Sequence, residues 1–158
     1  MNIESNFNYC ILSNNINQEL LKKFLEYPII DDSLSFNDLK QKVEFNTSKM
    51  VVLNDSFYKL NSKEMSIIID LFKKQQMNFI YITSDIEKSI LSDKIIVFDN
   101  NEIVLNGLKE DVLKEEKILK RLGFGLPFVV DLSLQLNYYD ILNKIYFDMS
   151  LLIGELWN

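Results

Sequence analysis

Apolar and polar segments alternate in the middle of the chain in a way that predicts strands separated by helices. Short apolar runs bounded by polar residues occur at MVVL, FIYIT and IIVF, residues 50–53, 79–83 and 95–98. Runs of this length are typical of strands that are buried on both faces. Residues 61–76 carry apolar side chains at helical spacing, and residues 103–106 follow a tight turn as the antiparallel partner of a hairpin. This order is typical of an α/β protein with a mostly parallel sheet.

The polar residues around these segments predict where helices begin. Asn61 or Ser62, followed closely by Glu64, has the composition of a helix start with a capping box. Ser84 or Asp85 is expected to cap the short helix that follows the second apolar run. These residues therefore have a structural explanation that requires no ligand.

The first part of the chain has a weaker pattern of the same kind. Residues 7–13 (FNYCILS) predict a strand, because they are rich in aromatic and β-branched side chains. Residues 17–27 carry apolar side chains at helical spacing, and Pro28 is expected to end that helix. Residues 31–36 predict a loop, and residues 37–45 predict a short helix.

The last part of the chain has a helical pattern. Residues 111–122 predict one helix followed by a glycine, Pro127 begins a second helix, and residues 150–157 predict a third. We therefore divide the chain into an α/β core, residues 1–122, and a small helical tail, residues 123–158.

Composition excludes several classes of function. The net charge of −6 disfavours a nucleic-acid partner, because no basic patch offsets the repulsion. Histidine is absent, so Ser-His-Asp sites, Cys-His sites and histidine metal sites are excluded. The single cysteine, Cys10, fits a reducing compartment. No signal-peptide pattern begins the chain, and every apolar run is well below the roughly 18 residues of a membrane span. We therefore expect a cytoplasmic protein without direct membrane insertion.

Motif positions after residue 50 resemble those of a known ATPase family. VVLNDSFYKLN, residues 51–61, resembles the Walker B and D-loop segment of an ABC transporter ATPase, and residues 79–107 resemble the H-loop strand, helix, strand and hairpin. The runs LKRLGFGLPFVVDLSLQL and DMSLLIGELW resemble the C-terminal helices of ATPase subunits in energy-coupling factor (ECF) transporters. The resemblance implies a reduced P-loop NTPase-like core that lacks the helical subdomain. It also implies a tail through which two ATPases pair in importers of vitamins or metal ions.

The position of the family's phosphate loop carries none of its chemistry. That loop uses glycines, which let backbone N–H groups converge on phosphate, and a lysine, which neutralises charge. Here Asn15 lies in a glycine-free turn, Asn17 replaces the lysine, and Gln18 and Glu19 replace the hydroxyl pair that binds the metal. Each lost charge-assisted contact removes roughly 1.5–3 kcal/mol. The turn is either an ordinary asparagine-rich connection or a weakened phosphate site.

The catalytic positions have changed as well. Asn54 and Asp55 stand where the family has the aspartate that binds magnesium and the glutamate that acts as base. Asp55 is one methylene shorter, and a misplacement of about an ångström can cost about a hundredfold in rate. Ser84 replaces the H-loop histidine, and Asn61 replaces the D-loop aspartate. We therefore expect no catalytic residue, no metal ligand and no cofactor, with ATP and Mg²⁺ only under an alternative in which weak binding persists.

The tail carries the remaining candidate for function. Its apolar residues either form a partner-binding surface or pack back on the core. The candidate partner-binding residues are Pro127, Phe128, Leu132, Leu136, Leu151, Leu152, Leu156 and Trp157.

These observations predict a catalytically inactive ABC/ECF ATPase-like subunit that acts through protein–protein contacts. The expected partners are a second copy or an ATPase subunit, with a transmembrane coupling protein as a further candidate. This would place the chain peripherally at the inner face of the cell membrane. Two alternatives stay open at this point: an ATPase subunit with weak hydrolysis in a composite dimer site, and a free-standing scaffold.

Overall fold

A single mostly parallel sheet forms the centre of the molecule. The computed structural model describes residues 2–31 and 34–157, so the predicted loop 31–36 and the two predicted domains are described only in part. The strands in the described residues are β1 Tyr9–Ser13, β2 Ile29–Ile30, β3 Met50–Asn54, β4 Asn78–Thr83, β5 Lys94–Asp99 and β6 Glu102–Leu108. Their spatial order is β2-β3-β4-β1-β5-β6, and β6 alone among them runs antiparallel. The predicted mostly parallel sheet is confirmed.

Helices cover both faces of this sheet. They are α1 Gln18–Lys22, α2 Phe36–Glu44, α3 Ser62–Lys74, a 3₁₀ helix Ile86–Leu91, α4 Lys109–Val112, α5 Glu116–Arg121, α6 Phe128–Tyr138 and α7 Met149–Leu156. Within the described ranges, no helix is both long enough and apolar enough to cross a membrane.

The central strand, β1, is buried on both faces. It pairs in parallel with β4 on one side and β5 on the other, and all five of its residues are buried. Cys10 and Leu12 pack in one hydrophobic cluster with the tail, whereas Tyr9 and Ile11 pack in another with Leu20 of α1. This division follows from the alternation of side chains along a strand. Burial also raises the pKa of the Cys10 thiol, which therefore stays protonated.

A third cluster joins β3 and β4 to α2 and α3. Leu39 and Val43 of α2 and Ile68 and Phe72 of α3 are buried against Phe79 and its neighbours. These helices have the predicted amphipathic spacing, which places their apolar residues on one face.

Two predicted helices have different bounds in the structure, and one strand was not predicted. The helix expected at residues 17–27 ends at Lys22 and continues as turns. The short strand Ile29–Ile30 was not predicted, because two residues are too few to form a pattern. The helix expected at residues 111–122 is two helices, α4 and α5. Leu113 and Leu119 are both buried, and a separation of six residues would place them on different sides of one continuous helix.

One hydrogen bond holds the last residue of the predicted core, and a second ties the tail to the core. The Asn14 side-chain amide donates to the Leu122 carbonyl at 2.6 Å. The Phe128 N–H donates to the Glu87 carboxylate at 2.8 Å, which supplies α6 with an acceptor that its N-cap residue, Pro127, lacks. A carboxylate at this end of a helix is also favoured by the helix dipole. The predicted boundary at residue 123 stays a prediction, since the tail shares a hydrophobic cluster with β1 and β5.

The first prediction concerns the N-terminus of α3. Asn61 accepts hydrogen bonds from the N–H groups of Lys63 and Glu64, and Glu64 accepts one from the Asn61 N–H, which forms a capping box. Replacing Asn61 by alanine should lower the free energy of unfolding by about 1 kcal/mol, because two N–H groups lose their acceptor. Equilibrium urea denaturation measures this difference.

Two variants serve as controls for this cap. Asn61→Asp restores the residue type of the ATPase family and keeps the acceptor, so its stability should match that of the unchanged chain. Ser62→Ala alters the next residue, which is exposed and is not the cap. An equal loss of stability in Asn61→Asp and Asn61→Ala would contradict the capping role.

Candidate functional site

The parallel register brings the candidate nucleotide positions to one edge of the sheet. Strands β3, β4 and β1 are adjacent and parallel, so their carboxyl ends meet at the same edge. Asn54 and Asp55 lie at the end of β3, Ser84 follows β4, and Asn15 and Asn17 follow β1. In open α/β sheets, ligands bind at this edge. The fold therefore places these residues where a nucleotide site would lie.

The Asp55 carboxylate is the acceptor for two hydroxyl groups of β4. Thr83 Oγ1 donates to Asp55 Oδ1 at 2.8 Å, and the Tyr81 hydroxyl donates to the same oxygen at 3.1 Å. Burial, and next the charge of Asp55, raise the pKa of Tyr81, so the phenol stays protonated and keeps donating. The Asp55 carboxylate is thus part of the link between β3 and β4.

The backbone around Asp55 also forms a turn. Asp55 has a φ of +47°, its N–H donates to the Ile82 carbonyl at 2.8 Å, and its carbonyl accepts from the Tyr58 N–H at 3.1 Å. Aspartate tolerates this left-handed conformation better than most residues do. Phe57, in the same turn, stacks on the Tyr81 ring with centroids 4.7 Å apart.

The side chains beside Asp55 bond to the edge strand β2 and to the loop after it. The Asn54 amide contacts the Asp31 carboxylate at 3.4 Å, and the Ser56 hydroxyl donates to the Ile30 carbonyl at 2.7 Å. Asn54 presents an amide where the family has a carboxylate, and Mg²⁺ prefers anionic oxygen ligands. The side chains at this end of β3 therefore bond to the neighbouring strand and its loop, as is usual where a strand ends.

Three side chains of the turn at residues 14–19 form hydrogen bonds within the chain. Asn14 donates to the carbonyl of Leu122, as described above. Asn17 is the N-cap of α1 and accepts from the Leu20 N–H at 2.9 Å. Glu19, in the first turn of α1, accepts from the Asn101 side-chain amide at 2.9 Å. Asn15 and Gln18, the other candidate residues here, are exposed.

These groups do not fit a magnesium–triphosphate ligand. Phosphate binding at such a turn needs converging N–H groups and a cation. Residues 14–19 contain no lysine, arginine or glycine, and Glu19 adds a carboxylate where phosphate charge would lie. The donors of Asn14 and the acceptor of Asn17 are used within the chain.

Two further candidate positions lie at helix starts. Asn61 is the N-cap of α3, which agrees with the structural explanation given above. The prediction that Ser84 or Asp85 caps the next helix is confirmed for Asp85, which is the N-cap of the 3₁₀ helix and accepts from the Glu87 N–H at 3.0 Å. Ser84 is exposed, between β4 and that cap. The Asp85 N–H donates to Thr83 Oγ1 at 3.0 Å, so the helix begins after Asp85 and not after Ser84.

The candidate partner-binding residues of the tail divide by exposure. Pro127 and Leu152 are buried, and Leu132 and Leu136 are half-buried against the cluster that contains β1. Phe128, Leu151 and Trp157 are 60%, 66% and 80% exposed, and Leu156 is 36% exposed. The second group can contact another molecule without unfolding the tail, whereas Pro127 and Leu152 cannot.

Sequence reasoning missed several residues of these two sites. Tyr81 and Thr83 were missed because they lie far from Asp55 in the chain. The sequence indicates only that the two share one face of β4, because side chains alternate along a strand. Ile141 and Ile153 of the tail are 58% and 49% exposed and were not among the candidates.

The second prediction concerns Asp55. Replacing it by alanine should lower the free energy of unfolding by about 1–3 kcal/mol, because the buried hydroxyls of Tyr81 and Thr83 lose their acceptor. Asp55→Asn retains an oxygen and should lose less, and Ser84→Ala, at an exposed position, should change stability by less than about 0.5 kcal/mol. Equilibrium denaturation ranks the three variants. An Asp55→Ala variant whose free energy of unfolding is unchanged would contradict the structural role.

Comparison with known proteins supports a relationship to transporter ATPases. No protein-family model matches the chain. The energy-coupling factor transporter ATP-binding protein EcfA1 of Geobacillus kaustophilus (strain HTA426) is 27% identical over 113 residues, which are 68% of this chain and 40% of that protein. EcfA1 of Caldanaerobacter subterraneus subsp. tengcongensis is 36% identical over 73 residues, 46% of this chain and 26% of that protein. The chain thus spans less than half the length of these relatives.

A solved structure shows the fold. Structural superposition on cbiO1 from Clostridium perfringens, part of the ABC transporter complex cbiONQ, gives a TM-score of 0.50 at 13% identity and covers 78% of this chain and 85% of that chain. The predicted P-loop NTPase-like α/β fold with a small helical C-terminal region is confirmed. The chain is therefore homologous, over part of its length, to the ATP-binding proteins of energy-coupling factor transporters, and its fold is that of an ABC-type ATPase domain.

Proposed function

We propose that this chain is a catalytically inactive ABC/ECF ATPase-like subunit that acts through protein–protein contacts of its tail. In this role it forms one half of an ATPase pair, or regulates such a pair, in an import complex for a vitamin or a metal ion. Its partner is an ATPase subunit or a second copy of the chain, and a transmembrane coupling protein holds the pair at the inner face of the membrane. ATP and Mg²⁺ are not cofactors of the chain in this proposal.

The hydrogen bonding of Asp55 carries the proposal. A general base must be within reach of the proton that it abstracts, with an oxygen available to accept it. Asp55 Oδ1 accepts from the hydroxyls of Tyr81 and Thr83, which holds the carboxylate against β4. Turning the carboxylate away from β4 so that Oδ2 reaches a substrate would leave two buried donors unsatisfied, at a cost comparable to a lost buried hydrogen bond each.

The phosphate side of the edge supports the same conclusion. A carboxylate at the N-terminus of a helix takes the place that an anionic ligand would occupy, since both are favoured by the same dipole. Glu19 lies in the first turn of α1 and is bonded to Asn101. A triphosphate would meet this carboxylate instead of a lysine.

The tail supports an interaction role. Phe128, Leu151 and Trp157 stay largely exposed although other tail residues complete the core. Exposed clusters of large apolar side chains usually mark contact surfaces, and tryptophan is a frequent interface anchor. The relatives are ATP-binding proteins of transporters, and cbiO1 is part of a transporter complex, which makes an ATPase subunit the partner with the strongest support.

One observation favours a second candidate function, a residual ATP-binding subunit with weak hydrolysis in a composite dimer site. Asp55 is a carboxylate at the carboxyl end of β3, at the ligand-binding edge of the fold. In a dimer, a partner would have to supply the missing cation and the metal ligands.

The third prediction separates these two candidates. Isothermal titration calorimetry of the full chain with Mg-ATP should show no binding up to millimolar nucleotide, because several charge-assisted phosphate contacts are absent. An intact EcfA1-type ATP-binding protein, titrated under the same conditions, is the positive control. Micromolar affinity would establish the residual ATP-binding function and overturn the inactive one.

The fourth prediction concerns the partner. Tagged full chain, recovered from its native extract, should bring with it an ATP-binding subunit or a transmembrane coupling protein, identified by mass spectrometry. Replacing Trp157 by serine should reduce this recovery at least about tenfold, since loss of a hot-spot aromatic costs about 2 kcal/mol or more.

A matched variant tests whether the effect is specific to the tail. Phe45 lies outside the tail, after α2, and is 80% exposed, as is Trp157. Phe45→Ser should therefore leave recovery unchanged. A monomeric chain that recovers no transporter component would contradict the proposed function.

A further inference from the structure

The outward face of α7 has a small centre between large apolar side chains. Leu152 is buried and anchors the opposite side of this helix. Ser150 and Gly154 are exposed and lie four residues apart, so they share one face. Leu151 and Trp157 are 66% and 80% exposed on either side of that line. We call this line of small residues between larger ones the groove, because the side chains of another helix can pack onto a face of this kind.

The position of Gly154 leaves space for a larger side chain. Among the described residues, a Cβ added at Gly154 would meet no atom within 4 Å. Glycine in a helix interior is less favourable than alanine. The position is therefore less favourable for α7 than alanine would be, and it lets another backbone approach closely.

The charged residues of α7 and of its N-cap are acidic. From residue 145 to residue 157 the charged residues are Asp148 and Glu155, both acidic. Glu155 also lines a cavity of about 410 Å³ together with Asp140, next to the exposed Ile141. Neither Asp140 nor Glu155 belongs to an ion pair identified within residues 2–31 and 34–157. The face is therefore apolar at its centre and acidic at its rim.

We propose that the outward face of α7 receives an amphipathic helix of a different protein, one that carries lysine or arginine beside its apolar stripe. Leucines of that helix would pack over Gly154 between Leu151 and Trp157. Its cations would lie at Glu155 and in the cavity shared with Asp140. This inference rests on the proposed interaction function and specifies the chemistry of the partner.

Charge complementarity distinguishes this occupant from two others. Two copies packed through α7 would bring together faces whose charged helix residues, Asp148 and Glu155, are all acidic, and the whole chain has a net charge of −6. Like charges across an interface disfavour association. An anionic membrane surface selects helices rich in lysine and arginine, whereas the exposed face of α7 has none. A basic helix of another protein is the occupant that satisfies both the apolar groove and its acidic rim.

The only tryptophan of the chain makes this site directly observable. Trp157 emission should shift to the blue when a short synthetic helical peptide of leucine and lysine is titrated into the full chain, because the indole leaves water. A peptide with glutamate in place of lysine should bind at least about tenfold more weakly. Charge reversal at the rim, Glu155→Lys, should reduce the affinity for the lysine peptide by about tenfold.

Two matched variants separate the groove from general attraction between charges. Gly154→Leu fills the groove, leaves the charge unchanged and favours the helix, so it should fold normally and bind at least about tenfold more weakly. Leu151→Ser should also weaken binding. Leu25→Ser, at a leucine with nearly the same exposure (67%) outside the tail, should leave binding unchanged.

Three results would overturn the inference. The first is equal binding of the lysine and glutamate peptides. The second is a Trp157 shift with vesicles of phosphatidylglycerol and phosphatidylcholine but none with the lysine peptide. The third is self-association at micromolar concentration in sedimentation analysis that Gly154→Leu abolishes.

The failure of this inference is distinguishable from the failure of the proposed function. If the chain recovers a transporter subunit from extract but Glu155→Lys and Gly154→Leu have no effect on that recovery, the inference fails while the proposed function stands. If the lysine peptide binds as expected but no transporter subunit is recovered, the groove is supported and the proposed function fails.

Discussion

The burial of β1 on both faces is the constraint on which the rest of the structure depends. A strand with five buried residues must pair on both edges and be covered on both sides. Strands β4 and β5 satisfy its edges, α1 covers the side of Tyr9 and Ile11, and the tail covers the side of Cys10 and Leu12. Removing the tail would therefore expose the centre of the sheet. The tail therefore completes the hydrophobic core of the sheet, in addition to any contact with a partner.

The same parallel pairing brings together the polar groups at the candidate nucleotide edge of the sheet. Because β1, β3 and β4 end at one edge, their last residues must find hydrogen-bond partners there, with or without a nucleotide. In this chain the partners come from within: Asp55 accepts from Thr83, Asn17 caps α1, and Glu19 bonds to Asn101. An edge whose polar groups bond to one another in this way does not depend on a ligand for its hydrogen bonds.

Local patterns in the sequence predicted the elements that depend on local rules. The buried strands at residues 50–53, 79–83 and 95–98 and the cap at Asn61 follow from apolar runs and capping chemistry, and all are present. What was missed depends on tertiary packing. The break between α4 and α5 carries no glycine or proline, and β2 exists because β3 offers it an edge. The contacts of Asp55 with Tyr81 and Thr83 join residues more than 25 positions apart, which no local pattern encodes.

Exposure is what separates the structural residues of the tail from those that are free to contact a partner. The apolar sequence of the tail alone could not show which residues serve packing, and the structure divides them into two groups. Val129, Val130 and Leu152 are buried in the cluster with β1, so no partner is needed to explain them. Leu151 and Trp157 on the outer face of α7 contribute little to that cluster, and burying a side chain of this size against a partner is worth roughly 1.5–3 kcal/mol. The inner face therefore accounts for the fold of the tail, and the exposed apolar residues of the outer face are the ones left to form the proposed contact surface.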